Sequence, residues 1–272
     1  LCDGRKGVIQ MKRAVAMADN CIDVYYKSDQ YYLTGNSVDF ALNYKDMGGD
    51  VTEMTVLGND VFATALEERL KDRGIPLRIL KRSELPTAMA TMDLVDGDKK
   101  HLHFAGNALE EVVLKEADLE FVKRFDIVYA ERWAGVERYI KEIRQPNQIW
   151  VYDFSKRIDQ LKNEKILPYL DYGFFSYSKD DSFIRKYMMQ AQKKGCRIVI
   201  AMLGEEGSLA FDGQRFYKET AEKVEVVNTV GAGDSYIAAF TYGVSLGEGI
   251  RECMLRGKKR ATEIVQQFQP YK

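Results

Sequence analysis

A chain of 272 residues, 46% of them hydrophobic, suits one large domain with a sizeable buried core. Forty basic residues against forty-one acidic ones leave a formal charge of −1, so composition offers no electrostatic case for nucleic acid or an anionic membrane as partner. Cys2, Cys21, Cys196 and Cys253 are too scattered for a disulfide framework or a metal knuckle, and no apolar run approaches the roughly 18 residues of a membrane span.

Leu1 to Gln10 lacks the apolar core of a signal peptide, and Met11-Lys12-Arg13 reads like a natural start. Residues 1–10 are therefore expected to be an extension outside the fold, and the compartment the reducing cytoplasm. A buried strand is predicted at Val15 to Met17. Val24 to Leu33 is rich in tyrosine without a helical period. Ser37 to Met47 reads as a helix stopped at Gly48-Gly49, Val51 to Leu57 as a strand, and Asp60 to Arg73 as a helix stopped at Gly74. Thr87 to Phe104 reads as two strands joined by a tight turn at Asp96-Gly97-Asp98. Buried strands follow at Ile127 to Ala130, Ile149 to Phe154 and Gly173 to Phe175, then a helix from Asp180 to Lys194 ending at Gly195. Two more strands are predicted at Ile198 to Leu203 and Val224 to Val227.

Strand–helix alternation of this kind means a parallel sheet with helices on both faces, and ligands bind outside the carboxyl ends of its strands. Residues 24–33 and 87–104 belong to no such unit and are expected to form a small antiparallel flap over one end of the sheet. No repeat or linker divides the chain, which predicts a single domain over residues 11–272.

Chemistry concentrates in Val226-Val227-Asn228-Thr229-Val230-Gly231-Ala232-Gly233-Asp234. A strand is expected to run into a glycine turn that opens a helix from Asp234 to about Leu246. Small residues allow close backbone approach, and the first amides of a helix lack internal partners, so Gly231, Ala232 and Gly233 can hold a phosphate oxygen. An aspartate at the helix start can then take a proton from an attacking hydroxyl. The bland alternative is a glycine turn whose aspartate merely favours helix initiation. There is no G-x-x-x-x-G-K-[ST] motif, and Tyr236 stands where a dinucleotide fingerprint needs its third glycine.

Gly231-Ala232-Gly233-Asp234 resembles the signature of the ribokinase-like, phosphofructokinase-B-type sugar kinases, and the resemblance runs over almost the whole chain from Met11. It implies a three-layer α/β/α sandwich with a mostly parallel sheet and a small β-lid. It also implies ATP and Mg2+ as cofactors, a small sugar as acceptor, Asp234 as catalytic base and the glycine turn as anion hole. Leu203-Gly204-Glu205-Glu206-Gly207 is similar to the family's nucleotide loop, which assigns Leu203, Gly204, Gly207 and Asn228 to the nucleotide. Asp19-Asn20-Cys21-Ile22-Asp23 and Thr34-Gly35-Asn36-Ser37-Val38-Asp39 resemble the sugar-gripping stretches, which assigns Asp23, Gly35, Asn36 and Asp39 to the substrate. Asp153-Phe154-Ser155-Lys156-Arg157 is similar to an Asp-x-Asn-x-Arg motif. Within the family, Asp19 to Tyr25, the turn at Gly35 and the short chain resemble the fructoselysine 6-kinases. The lid often forms a dimer clasp in this family, so a homodimer through it is an expectation.

The sequence also departs from the family pattern. Thr34 replaces the first turn glycine, Asp39 an asparagine and Met202 a common threonine. Asn228 replaces an aspartate that helps hold a monovalent cation, which leaves that cation doubtful. In the family's magnesium-water motif Tyr177 takes the asparagine place and Asp180 the glutamate place. Asp180 and Asp181 read first as helix caps, with Asp180 acting on magnesium through water as a further role. Asp39 suits a helix N-terminus without any function. His101 and His103 could share a strand face as metal ligands, but no third ligand is evident nearby, so lid packing or substrate contact is preferred. The tyrosines Tyr25, Tyr26, Tyr31 and Tyr32 are read as packing, and Glu131-Arg132-Trp133 as a strand end that could line the pocket. Two rivals stay open: a related kinase acting on fructose, a keto-deoxy sugar acid or a nucleoside, and a ligand-binding regulator that kept the fold without turnover.

Overall fold

The computed structural model describes residues 11–95, 98–156, 158 and 165–272. The expected extension at 1–10, the turn residues Asp96 and Gly97, and Arg157 lie outside the described residues. In chain order the elements are β1 (Arg13–Ala18), β2 (Cys21–Tyr25), β3 (Gln30–Thr34), α1 (Asn36–Asp46), β4 (Asp50–Leu57), α2 (Val61–Asp72), β5 (Leu77–Arg82), β6 (Met89–Val95), β7 (Asp98–Ala105) and α3 (Glu116–Val122). Then come β8 (Ile127–Glu131), α4 (Ile140–Ile143), β9 (Ile149–Asp153), β10 (Tyr172–Ser176), α5 (Ser182–Lys193), β11 (Ile198–Met202), β12 (Ser208–Phe211), β13 (Phe216–Glu219), α6 (Ala232–Ser245) and α7 (Ile250–Val265).

A nine-stranded sheet runs in the order β13-β12-β11-β10-β9-β8-β1-β4-β5, with β12 alone antiparallel to its neighbours. Its central strands are apolar on both faces because both are covered. Val15, Met17, Val128 and Trp150 pack with Ile184 and Met188 of α5 on one side. Ala14, Ala16, Tyr129 and Val151 pack with Phe40 of α1, Phe240 of α6 and Met254 of α7 on the other. These are the layers of the predicted three-layer sandwich, and the helix stops fall where glycine takes a left-handed backbone, Gly74 at φ 62 and Gly195 at φ 114.

The lid is a separate four-stranded sheet, β3-β2-β6-β7. It corrects one expectation: the two hairpins are antiparallel, but they join through a parallel β2–β6 pair. A second correction concerns Val224 to Val227, which forms no strand. Among the described residues its backbone bonds only to the end of α7, Val227 N donating to Val265 O at 2.8 Å, and Val226 and Val227 are each 41% exposed. Val224 and Val226 face the cleft described below instead of the core.

Candidate functional site

The sheet runs β1-β4-β5 in one direction and β8-β9-β10-β11 in the other, so the switch in strand order lies between β1 and β8. A cleft of 1210 Å³ opens there, at the carboxyl ends of the strands. Asp19 follows β1, Glu131 and Asp153 end β8 and β9, and Ser176 and Met202 end β10 and β11; all line the cleft. Ala18, at φ 88, turns the chain out of β1 and delivers Asp19 to it.

Gly231, Ala232, Gly233 and Asp234 form one wall. Gly231 caps α6 at φ 68 and ψ 0, a backbone that glycine adopts without steric cost. Because Gly231 takes the cap, helix begins at Ala232, and Asp234 is its third residue instead of its first. Among the described residues no backbone carbonyl accepts from the amides of Gly233 or Asp234, while Ser235 N already bonds Gly231 O at 2.8 Å. Amides at a helix start that no backbone carbonyl takes, facing a cleft, fit a phosphate oxygen.

On the opposite side Gly35, at φ 124, brings its backbone so close to Asp19 that a Cβ would lie 2.2 Å from Asp19 O. The close approach lets Asn36 N donate to Asp19 Oδ2 at 3.0 Å. Asp39 is held by Thr34, whose Oγ1 donates to Oδ2 at 2.6 Å, while Oδ1 is buried without a hydrogen-bond partner among the described residues. Thr34 and Asp39, the two departures from the sugar-turn pattern, therefore bond each other. Asp23 lies on β2 and also faces the cleft.

Six carboxyl groups are thus buried around one space: Asp19, Asp23, Asp39, Glu131, Asp153 and Asp234. Burial is the largest cause of each shift. It pushes Asp23 and Asp234 up to about 6, Asp19 and Asp153 to about 7, and Asp39 and Glu131 well above the carboxylate range. Mutual repulsion adds to it, while the positive charge of Lys99, brought in by the lid strand β7, pulls Asp234, Asp23 and Asp153 back down. Lys99 also latches the lid, since its amide donates to Thr229 Oγ1 at 3.1 Å, two residues before Gly231. In the sequence Lys99 is marked only by its place directly after the lid turn.

Leu203, Gly204, Glu205 and Gly207 line the cleft, as does Met202, whose Cε lies within 3.5 Å of where a Cβ on Gly233 would sit. Gly207 packs so tightly that a Cβ would lie 2.0 Å from Glu219 O. Val224, Val226, Ala261, Thr262, Val265 and Lys258 complete an apolar wall with one basic residue. The α7 residues of that wall went unread because the helix carries no motif. Glu131, Arg132 and Trp133 line the cleft together, and His101 does so from the lid.

Two expected site residues have other work. Asn228 is fully buried beneath the glycine turn and does not line the cleft. Its amide donates to Phe268 O and to Tyr25 Oη, both at 3.0 Å, and its Oδ1 accepts from Val230 N at 3.0 Å. It ties turn, lid and C-terminal segment with neutral hydrogen bonds. We expect only weak activation by potassium over an inert cation at equal ionic strength; a large saturable response would show that a cation site exists.

Asp180 turns away from the cleft. Arg185 binds both its oxygens at 2.6 and 2.8 Å, Lys218 bonds one at 2.9 Å, and Arg185 holds the carboxyl down to about 2. The cap is Asp181, which accepts from Ile184 N at 3.0 Å. Among the described residues no group of three or more His, Cys, Asp or Glu side chains is arranged to hold a metal ion, and no helix is long and apolar enough to cross a membrane. The lid tyrosines divide: Tyr25 and Tyr32 are buried against Phe268, while Tyr26 and Tyr31 are exposed.

A family model for the pfkB family carbohydrate kinases matches residues 174–272. The fructoselysine 6-kinase of Shigella flexneri is 30% identical over 256 residues, covering 94% of this chain and 98% of that protein. The fructoselysine 6-kinase of Escherichia coli (strain K12) is 29% identical with the same coverage. In fold, the ribokinase of Thermotoga maritima superposes with a TM-score of 0.79 at 21% identity, over 96% of this chain and 94% of that one.

Proposed function

The chain belongs to the pfkB family of carbohydrate kinases and is an ATP-dependent carbohydrate kinase, and we propose that it phosphorylates the 6-hydroxyl of a fructosamine, fructoselysine first among them. The observation that carries this reading is the ring of six buried carboxyl groups. Such a ring favours a ligand that brings its own positive charge. A fructosamine has a secondary amine, cationic at neutral pH, next to its sugar; free fructose has none. A site whose buried polar groups are paired only by the correct ligand rejects analogues strongly.

In this reading Asp234 accepts the proton of the attacking hydroxyl, and the amides that open α6 stabilise the transferring group. Asp23, Asp39 and the Gly35-Asn36 turn hold the sugar hydroxyls, Oδ1 of Asp39 having no hydrogen-bond partner among the described residues. The Leu203 to Gly207 loop and the Val224, Val226 and α7 wall receive the nucleotide, ATP supplying the phosphoryl group. Magnesium would be carried on the phosphates and would offset their charge there. The lid keeps water from the reaction. Its exposed Tyr26, Tyr31 and Leu102 support self-association through the same sheet.

The test compares fructoselysine with fructose at equal ATP and locates the phosphate by NMR. The expected result is a higher kcat/KM for fructoselysine, with phosphate on the 6-oxygen. If fructose matches or beats every fructosamine tried, the substrate assignment is wrong and the kinase assignment stands.

A further inference from the structure

Beside the main cleft lies a second cavity of 350 Å³, and Arg132 and Trp133 line both. Arg138, Glu110 and Tyr139 also line it. The guanidinium of Arg132 lies 4.3 Å from the centroid of the Trp133 ring, and the other side of the junction is closed by Phe104 of the lid, 5.3 Å from Trp133 between ring centroids. Among the described residues neither Arg132 nor Arg138 forms a salt bridge, and neither does Glu110. Two basic side chains and one acidic one, all solvent-exposed, therefore stand around a small cavity that shares Arg132 and Trp133 with the sugar cleft, and the charge of Arg132 also acts on Asp19.

We propose that this side cavity is a subsite for the α-amino-acid end of the acceptor. Arg132 and Arg138 take its carboxylate, Glu110 takes its α-ammonium, and the methylene chain lies along Phe104 and Trp133. The chemistry matches part by part. Guanidinium groups bind carboxylates with directed, charge-assisted hydrogen bonds. An alkyl chain gains from burial against aromatic surface. The two ends of the acceptor then meet opposite environments: the linking amine faces the acidic ring, and the carboxylate faces the arginines. The inference rests on the fructosamine reading and deepens it, because it selects amino-acid adducts over adducts of simple amines.

The experiment measures kcat/KM for fructoselysine and for its decarboxylated analogue, the fructose adduct of cadaverine, which keeps sugar, linking amine and chain. For the unmodified protein the ratio of the two is expected to be on the order of 10 to 100, the worth of a charge-assisted hydrogen bond or two. In Arg138→Gln the ratio is expected to fall about tenfold, mainly through KM for fructoselysine, and in Arg132→Gln to approach 1. Taking the ratio within each variant cancels any general loss of folding or turnover. A ratio near 1 in the unmodified protein, or one unchanged in both variants, overturns the subsite while leaving the fructosamine reading intact. Turnover of another sugar with none of any fructosamine overturns both.

Discussion

Asp234→Asn is expected to lower turnover by roughly 10²–10⁴, the usual effect of losing a general base, while fold and ATP affinity are kept. The variant keeps the helix start and the amides that no backbone carbonyl takes, so the anion hole survives the change. Burial raises the Asp234 pKa to about 6, and only the deprotonated form can accept a proton. The unmodified protein should therefore lose activity as pH falls through about 6, and kcat/KM against pH should show that acid limb. The limb belongs to the cluster as a whole, since Asp234 interacts with its acidic neighbours. Stability gives a second readout of opposite sign. A carboxyl whose folded pKa lies above its unfolded value binds more protons when folded, so its contribution to stability falls as pH rises through the folded value. Asparagine removes that penalty, and Tm at pH 8 should be no lower than for the unmodified protein. Near-normal turnover in a folded Asp234→Asn protein would remove Asp234 from the mechanism.

Gly231→Ala should be nearly as damaging for a different reason. Alanine at φ 68 carries a backbone cost of about 1–2 kcal/mol. Its Cβ would also sit 2.3 Å from Pro270 Cβ and 2.8 Å from Pro270 Cα. Pro270 cannot easily withdraw, because its carbonyl accepts from Asn43 Nδ2 at 3.0 Å and Tyr271 Oη donates to Leu33 O at 2.8 Å. The turn must move instead, and a displacement of about 1 Å at a reacting group can cost about 10²-fold. We expect kcat/KM to fall by about that factor, with a lower Tm. Gly247→Ala is the control: φ is 77, yet a Cβ there meets nothing within 4 Å. It should show a comparable backbone cost in Tm with turnover kept. Equal activity in the two variants would mean that the turn is not held by the C-terminal segment.

The core strands were legible because each buried strand is a short apolar run ended by a turn residue, and the glycine turn because small residues and an acid at a helix start have few other uses. Val224 to Val227 misled for a physical reason. A β-branched run looks alike whether it faces a core or a cleft, and here Val224 and Val226 face the cleft. The second lid hairpin showed its turn at Asp96-Gly97-Asp98, whereas the first was read only as a tyrosine-rich stretch, and nothing local says that β2 and β6 pair in parallel. The acidic ring was the least readable feature. Asp19, Glu131 and Asp153 each end or follow a different strand, and only the strand order makes them neighbours. Asn228 and Asp180 show the limit of reasoning from motif position. Both stand at family sites, yet the partners that occupy them, Phe268 and Tyr25 for one and Arg185 and Lys218 for the other, come from distant parts of the chain or from a charge pattern with many alternatives.

The knot of hydrogen bonds around Asn228 also sets an order of events during synthesis. Asn228 is separated from Tyr25 by 203 positions, and Thr229 from Lys99 by 130. At about 5–20 residues per second, a ribosome that has finished β2 needs on the order of 10–40 s more before the residue that secures it exists. Through that interval the lid strands have each other and contacts such as Tyr31–Phe62 and Phe104–Trp133, but not the hydrogen bonds to Asn228 and Thr229, and an unprotected sheet edge is a template for pairing with other chains. Contacts this remote in sequence are slow to close, because the loop entropy is lost before any contact compensates for it. The residues that make the lid ready for a substrate are therefore also the ones that finish folding the protein.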